Sequence, residues 1–336
     1  MQRNATRGRW WICCVCLCGL ALAEARAEDA TPELAALPRG LTSFGGAESD
    51  GTWFVYGGHD GAAHSYSIDQ QSPSLYRYRP GQDEAWQEIS TGPRLQGLAI
   101  VAHDGDLIRI GGFEARNAEG EADDLWSIDS VARFDIAKGQ WSELARLPEP
   151  RSSFDAAVLD DQVFVIGGWA LQGDGETQWH GTAYRMDLSA ADPQWKPLPT
   201  PPFQRRALAV AAYQGRIYAI GGMNKEGGPS TAVDVYDPKA DKWTSGPELP
   251  GKPMGGFGCA AIEADGRLVV TTSLGDIWRL TPDDSQWESI GQYEPGRFFH
   301  RMYRHGDGVA LVGGANMETG RFTETGWLKL PELVAR

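Results

Sequence analysis

An all-β fold of six four-stranded blades arranged in a ring is predicted by three features of the chain. A unit of roughly 50 residues recurs along it, a period that marks propellers and solenoids. Each unit but one closes a β-like run with a glycine pair, at Gly57-Gly58, Gly111-Gly112, Gly167-Gly168, Gly221-Gly222 and Gly313-Gly314. A tryptophan follows in five units, at Trp86, Trp141, Trp195, Trp243 and Trp287. Successive pairs lie 54, 56, 54 and 92 residues apart, so the last gap holds two units.

Units one and two run through Gly57-Gly58 to Trp86 and through Gly111-Gly112 to Trp141. Unit three displays the whole pattern: an apolar run to Val158, a second run Gln162 to Gly168, a tyrosine-bearing strand Ala183 to Asp187, then Trp195. These are four strand signals separated by turn residues. Unit four repeats them through Gly221-Gly222 and Trp243. Unit five carries Thr271-Thr272 where the glycines are expected, but Ile277 to Leu280 and Trp287 stay in register, so it reads as a degenerate blade. In unit six, Trp327 to Leu330 falls at the third strand, 13 residues after Gly314 as Val235 is after Gly222, and leaves no room for a fourth. Upstream, Pro32 to Pro38 reads like Trp141 to Pro148 without its tryptophan. Residues near 32 to 37 are therefore expected as the N-terminal strand that completes blade six and removes a free sheet edge.

The paired glycines and spaced aromatics resemble the Kelch repeat, in which one repeat is one blade of a β-propeller. The resemblance covers nearly all of the chain after about residue 30 and implies a single six-bladed domain over 28–336. Sheets of this length cannot bury both faces alone, so blades pack face to face around a central channel.

Residues 1–27 read as a signal peptide: Arg3, Arg7 and Arg9 precede an apolar stretch from Trp10 to Ala23 and the small-x-small site Ala25-Arg26-Ala27. The stretch is short of the roughly 20 residues that span a bilayer. A secreted or periplasmic protein is expected, with no membrane span. Four of the five cysteines lie in this segment, which leaves Cys259 as a buried core residue. Cleavage after Ala27 would leave 27 basic and 44 acidic side chains, a net charge of about −17. Such a balance argues against nucleic acid, which needs a basic footprint. The chain is expected to be a monomer.

Two loop sets emerge on one face of a four-stranded up-and-down blade: those after the second strand and those joining blades. Arg39, Arg94, Arg151, Arg205 or Arg206, and Arg297 stand at the joins, with Lys252 in unit five. After the glycines come His59, His64, Phe113, Glu114, Arg116, Trp169, His180, Asn224, Asn316 and Glu318. A cationic ring with aromatic faces would focus its field on an anionic ligand, either a carboxylated sugar or an acidic protein segment. In a purely structural role, the same arginines would hydrogen-bond backbone carbonyls of the next blade.

A non-catalytic recognition propeller is the first functional reading. The exported Kelch-type N-acetylneuraminate epimerases, which the chain also resembles in fold, export and charge pattern, imply a second: sugar mutarotation or epimerisation. Glu114 with Arg116, and then Glu318, are the candidate acid–base groups for it. A copper radical oxidase akin to galactose oxidase is a third, disfavoured because the cysteine such a site needs lies here in an apparent core strand. No metal and no cofactor are expected.

Overall fold

The computed structural model describes Met1 and residues 31–330. Two compact units divide the chain, Met1–Pro32 and Glu33–Arg336. The predicted signal peptide, residues 1–27, lies outside the described residues apart from Met1. The second unit is an all-β propeller of six blades, with two short 3-10 turns and no α-helix among the described residues.

Blade one comprises Gly45–Ser49, Thr52–Tyr56, Ser74–Tyr78 and Gln87–Thr91, hydrogen-bonded in that order from the channel outward. The innermost strands of the others are Ala99–His103, Asp155–Leu159, Ala209–Tyr213, Ala260–Ala264 and Arg301–His305. Every neighbouring pair within a blade is antiparallel. Second strands such as Thr52–Tyr56 are almost wholly buried because each faces a neighbouring blade on both sides. Their side chains alternate between two seams. Trp53 and Val55 pack with Tyr303 and Val312 of blade six, whereas Phe54 and Tyr56 pack with Leu98, Ile100 and Phe134 of blade two.

Each repeated tryptophan ties its blade to the one before. The indole N–H groups of Trp195, Trp243 and Trp287 donate to the carbonyls of Ala145, Pro199 and Pro247 at 2.8–2.9 Å, and Trp141 reaches Ser90 Oγ at 3.1 Å. Trp86 does the same to Ala35 O at 3.1 Å, which places Ala35 where Ala145 stands at another seam.

The segment before Pro38 takes the outer position of blade six. Leu37 N–H donates to Thr323 O at 2.8 Å, the bond that Leu249 makes to Thr231 in blade four, and Thr325 Oγ1 donates to Ala35 O. It forms no continuous ladder, and the described sheet of blade six has three strands. The Ala35 N–H is taken by Tyr78 Oη of blade one, and Pro38 has no N–H to give.

Both glycines of a pair turn through the left-handed region, Gly57 at φ 68° and Gly58 at φ 95°. A Cβ on Gly57 would stand 2.5 Å from Leu95 O of blade two, and one on Gly58 would stand 2.7 Å from Phe44 Cβ. The pair is thus both a turn and a point of close approach. In blade five the substituted pair is Thr272-Ser273, one residue later than the spacing suggests. Thr271 completes the strand Arg267–Thr271, and Thr272 N–H makes the bond to Asp276 O that Gly221 makes to Ala232.

Ser43, Gly97, Ser153, Ala207, Gly258 and Phe299, each two residues before an inner strand, all have φ between 53° and 63°. Five backbone bonds link them around the channel: Gly97 to Ser43, Ser153 to Gly97, Ala207 to Ser153, Gly258 to Ala207 and Phe299 to Gly258, at 2.6–3.0 Å. The next residue in each blade plugs a seam: Phe44, Leu98, Phe154, Leu208, Cys259 and His300, all buried. Cys259 is a free buried thiol, as its setting predicts. His300 is the polar exception, 2.7 Å from Thr271 Oγ1 of blade five, and burial pushes its pKa down to about 3.

Two predictions follow from this packing. Leu37→Ala is expected to cost about 2–5 kcal/mol, the scale of a buried leucine, although the residue belongs to no strand. A urea midpoint matching that of wild type would refute its part in closing the ring. His300 stays neutral when folded, so the unfolded chain binds its proton first. Stability from this residue is fully present above pH 6.5 and falls by about 1.4 kcal/mol per pH unit from there towards pH 3. His300→Leu, which copies Leu98 and Leu208, should flatten this acid limb in urea titrations at stepped pH; an unchanged slope would assign the limb to other groups.

Candidate functional site

The loops after the glycine pairs and the segments joining blades meet on one face, as the topology predicts. Thr42 pairs with His59, Gln96 with Phe113, Ser152 with Trp169, Arg206 with Met223 and Phe298 with Ala315. The residues crowning the channel mouth, one before each left-handed turn, are therefore Thr42, Gln96, Ser152, Arg206, Phe257 and Phe298. They form sectors: three polar, one cationic and two aromatic.

Among the rim arginines the structure separates two kinds. Arg151, Arg205 and Arg297 are buried at 0%, 1% and 5% exposure. Their Nη1 groups donate inside the blade, Arg151 to Gly167 O and Thr182 O, Arg205 to Gly221 O and Ala232 O, and Arg297 to Gly313 O and Glu324 O. Arg205 is also paired with Asp234 at 2.5 Å, and Arg297 stacks on Phe322 at 4.1 Å. This is a carbonyl-bonding role, directed to the blade each arginine opens and not to the next blade as expected, and it leaves Arg151 and Arg297 turned away from the mouth. Leu41 and Leu95 hold the matching positions in blades one and two, as their carbonyls accept from Gly314 and Gly58.

Arg39, Arg94 and Arg206 are the other kind. Arg39 is half-exposed and paired with Asp60 at 2.5 Å, and Arg94 donates to Gln71 O at 2.8 Å. Arg206 lies over Trp169, 4.0 Å from the ring centroid, with Trp179 at 5.8 Å and Met223 Sδ at 3.1 Å. It makes no ion pair to a carboxylate among the described residues, and its buried Nε has no partner. Burial lowers its pKa, opposed only by nearby Tyr66. Tyr66 in turn lies against His59 in a tilted pair at 5.3 Å and meets Phe113 edge-on at 6.2 Å.

The remaining predicted residues lie in the loops that follow the glycine pairs. His59 is buried with Nε2 2.8 Å from Ser65 O, and burial lowers its pKa. His64 is exposed on the same loop. Glu114 and Arg116 pair at 2.8 Å, with Arg116 over Trp126 at 4.7 Å. Asn224 is half-buried beside Arg205, and its N–H donates to Gly228 O. Asn316 Oδ1 accepts from the backbone of Glu318 and Thr319, and so shapes its own turn, and Glu318 is exposed.

His180 is buried and turned into the blade. Nε2 faces Pro150 O at 2.9 Å and Nδ1 faces Glu149 Oε2 at 3.1 Å. Glu149 also accepts from Arg151, Thr182 and Tyr184. The His180 contact foremost, with those hydroxyls, holds its carboxyl far below the usual range against the cost of burial. The cluster anchors the 169–180 loop, and Glu149 escapes sequence reasoning because it stands in an ordinary acidic join.

Below the mouth, Arg301 of blade six crosses the channel to Asp155 of blade three at 2.9 Å, and Asp155 Oδ2 accepts Val210 N–H at 3.0 Å. A cavity of about 230 Å³ lies along the inner strands, lined by aliphatic side chains such as Ile100, Val158 and Met302 together with Glu48 and Arg301. Among the described residues no group of three or more His, Cys, Asp or Glu is placed to hold a metal. No described helix is long and apolar enough to cross a membrane.

Comparison with known proteins agrees with this architecture. The family model of the Kelch motif matches residues 204–250. The chain is similar to Kelch repeat and BTB domain-containing protein 12 of Danio rerio, at 24% identity over 74% of this chain and 42% of that protein. It is similar to Beta-scruin of Limulus polyphemus at 24% identity, over 80% of this chain and 30% of that one. The chain spans less than half the length of these relatives. The solved structure of YjhT superposes with a TM-score of 0.71 at 14% identity, covering 89% of this chain and 98% of that one.

Adjacent arginines should answer substitution in opposite ways. Arg205→Ala leaves Asp234 buried without its partner and is expected to cost about 3–5 kcal/mol. Arg206→Ala breaks the indole stacking and the contact with Met223 Sδ but no ion pair, and is expected to cost about 1 kcal/mol or less. Equal losses in thermal unfolding would contradict the division.

Proposed function

Taking the chain as the Kelch-repeat β-propeller that its six blades and these matches make it, we propose a recognition module. It binds an anionic ligand at the mouth of its channel, a carboxylated carbohydrate or an acidic protein segment. Arg206 carries the reading. A guanidinium stacked on Trp169 with Trp179 beside it, and with no carboxylate partner among the described residues, leaves its charge for an incoming oxyanion. Low local dielectric strengthens such a contact, and Trp169 and Trp179 would flank the bound group.

Export to a secreted or periplasmic location belongs to the same reading and is supported by the charged, apolar and small-residue pattern of residues 1–27. A second reading, sugar mutarotation or epimerisation, draws on Glu114 beside Arg116 and Trp126, a carboxylate next to an aromatic face on the same rim.

Calorimetry with uronic acids, sialic acids, neutral sugars and acidic peptides tests the proposal. Arg206→Ala is expected to weaken binding of the anionic probes by about 1.5–3 kcal/mol, the scale of a charge-assisted hydrogen bond. Affinity that survives the substitution unchanged would remove Arg206 from the site. Anomer exchange followed by NMR on the same sugars separates the second reading from the first.

A further inference from the structure

We propose that the mouth selects an amphipathic carboxylate, a carboxyl head joined to an aryl or alkyl body, in preference to a polyhydroxylated acid. The inference rests on the rim-site reading above, an anionic ligand on Arg206, and replaces the carboxylated carbohydrate of that reading with an amphipathic acid.

The sectors of the mouth carry the argument. Gly258 N–H bonds Ala207 O at 3.0 Å, and Phe299 N–H bonds Gly258 O at 2.8 Å. The residues preceding these turns, Arg206, Phe257 and Phe298, therefore stand on successive steps of one ring. Phe257 meets Phe299 at 5.1 Å and Phe298 at 6.0 Å, and all three rings are half-buried. Met254 and Leu274, 49% and 47% exposed, extend the apolar surface outward, and Ser273 Oγ ties the two loops by donating to Met254 O at 2.6 Å.

An oxyanion on Arg206 would thus have indoles on one side and a phenylalanine cluster on the other. Hydroxyls attached close to the carboxylate would face ring carbons and lose water without gaining partners. The polar sector begins beside Arg206 at Ser152, on the side away from Phe257, and is closed off from solvent, with Gln96 Oε1 buried and without a partner. Thr42, Gln96 and Ser152 are buried, and Ser152 Oγ is 2.7 Å from Ser127 Oγ. An apolar body on the ligand would instead remove phenyl and thioether surface from water.

Calorimetry with 4-phenylbutyrate, glucuronate and 4-phenylbutanol tests this on the full chain and on three variants. Expected is 4-phenylbutyrate binding about tenfold or more tighter than glucuronate, the scale of burying one phenyl ring, with no measurable binding of the alcohol. Phe257→Ala should cancel that preference and leave glucuronate unchanged. Met254→Ser, at an exposed position, should reduce the preference in the same direction and keeps the test valid if Phe257→Ala fails to fold. Glucuronate binding as tightly as 4-phenylbutyrate, or an acidic peptide binding when neither small acid does, would overturn this inference and leave the rim site standing. Binding of 4-phenylbutyrate that survives Arg206→Ala, or no binding of any anionic probe, would overturn both.

Discussion

Blade-to-blade bonding at the channel wall is the constraint on which the rest of the molecule depends. The second glycine of a pair donates its N–H to the first residue of the next blade's join: Gly58 to Leu95, Gly112 to Arg151, Gly168 to Arg205, Gly222 to Gly256 and, across the ends of the chain, Gly314 to Leu41. This close approach needs left-handed backbone with no side chain, which is why the glycines recur. It fixes the residue after each bonded carbonyl at the mouth, and so decides which side chain of an adjacent pair faces a ligand.

That one-residue resolution explains how far the sequence could be read. Blade number, strand order and the closing role of the segment before Pro38 were legible because they repeat with large, regular spacing. Arg205 and Arg206 were not separable, since both are arginines at one join and only register sends the first into the blade and the second to the indoles. The substituted pair of blade five was misplaced by one residue for the same reason. The pairing of Arg301 with Asp155 spans 146 positions and two distant blades, so no local pattern announces it. Glu149 looked like any acidic linker residue until folding brought His180, Thr182 and Tyr184 to it.

Charge is sorted by the fold into two uses. Buried guanidiniums at Arg151, Arg205 and Arg297 satisfy carbonyls that the glycine turns leave open, and each needs its partners to offset desolvation. Arg206 has indoles and a thioether in their place, and its stability derives from polarisable faces. A rim read only as a count of cations would miss this division, because identical residue types at neighbouring positions serve the blade and the mouth separately.

The seam between blades five and six differs from the others in the bonds that join it. Thr272-Ser273 replaces the glycine pair there, and Ser273 N–H turns back to Gly255 O. No indole crosses that seam among the described residues, because blade six has none of the five repeated tryptophans; the Thr271 to His300 side-chain bond spans it instead. The seam closed by the chain ends, by contrast, keeps its glycine bond, its Trp86 bond and the packing of Leu37. The seam between the first and last blades thus keeps the glycine and indole bonds that the seam between blades five and six lacks. A circularly permuted chain, with old ends joined and new ones opened between blades five and six, would leave that seam to the Phe299-to-Gly258 backbone bond and to side chains such as Thr271 and His300, without the glycine and indole bonds of the other seams.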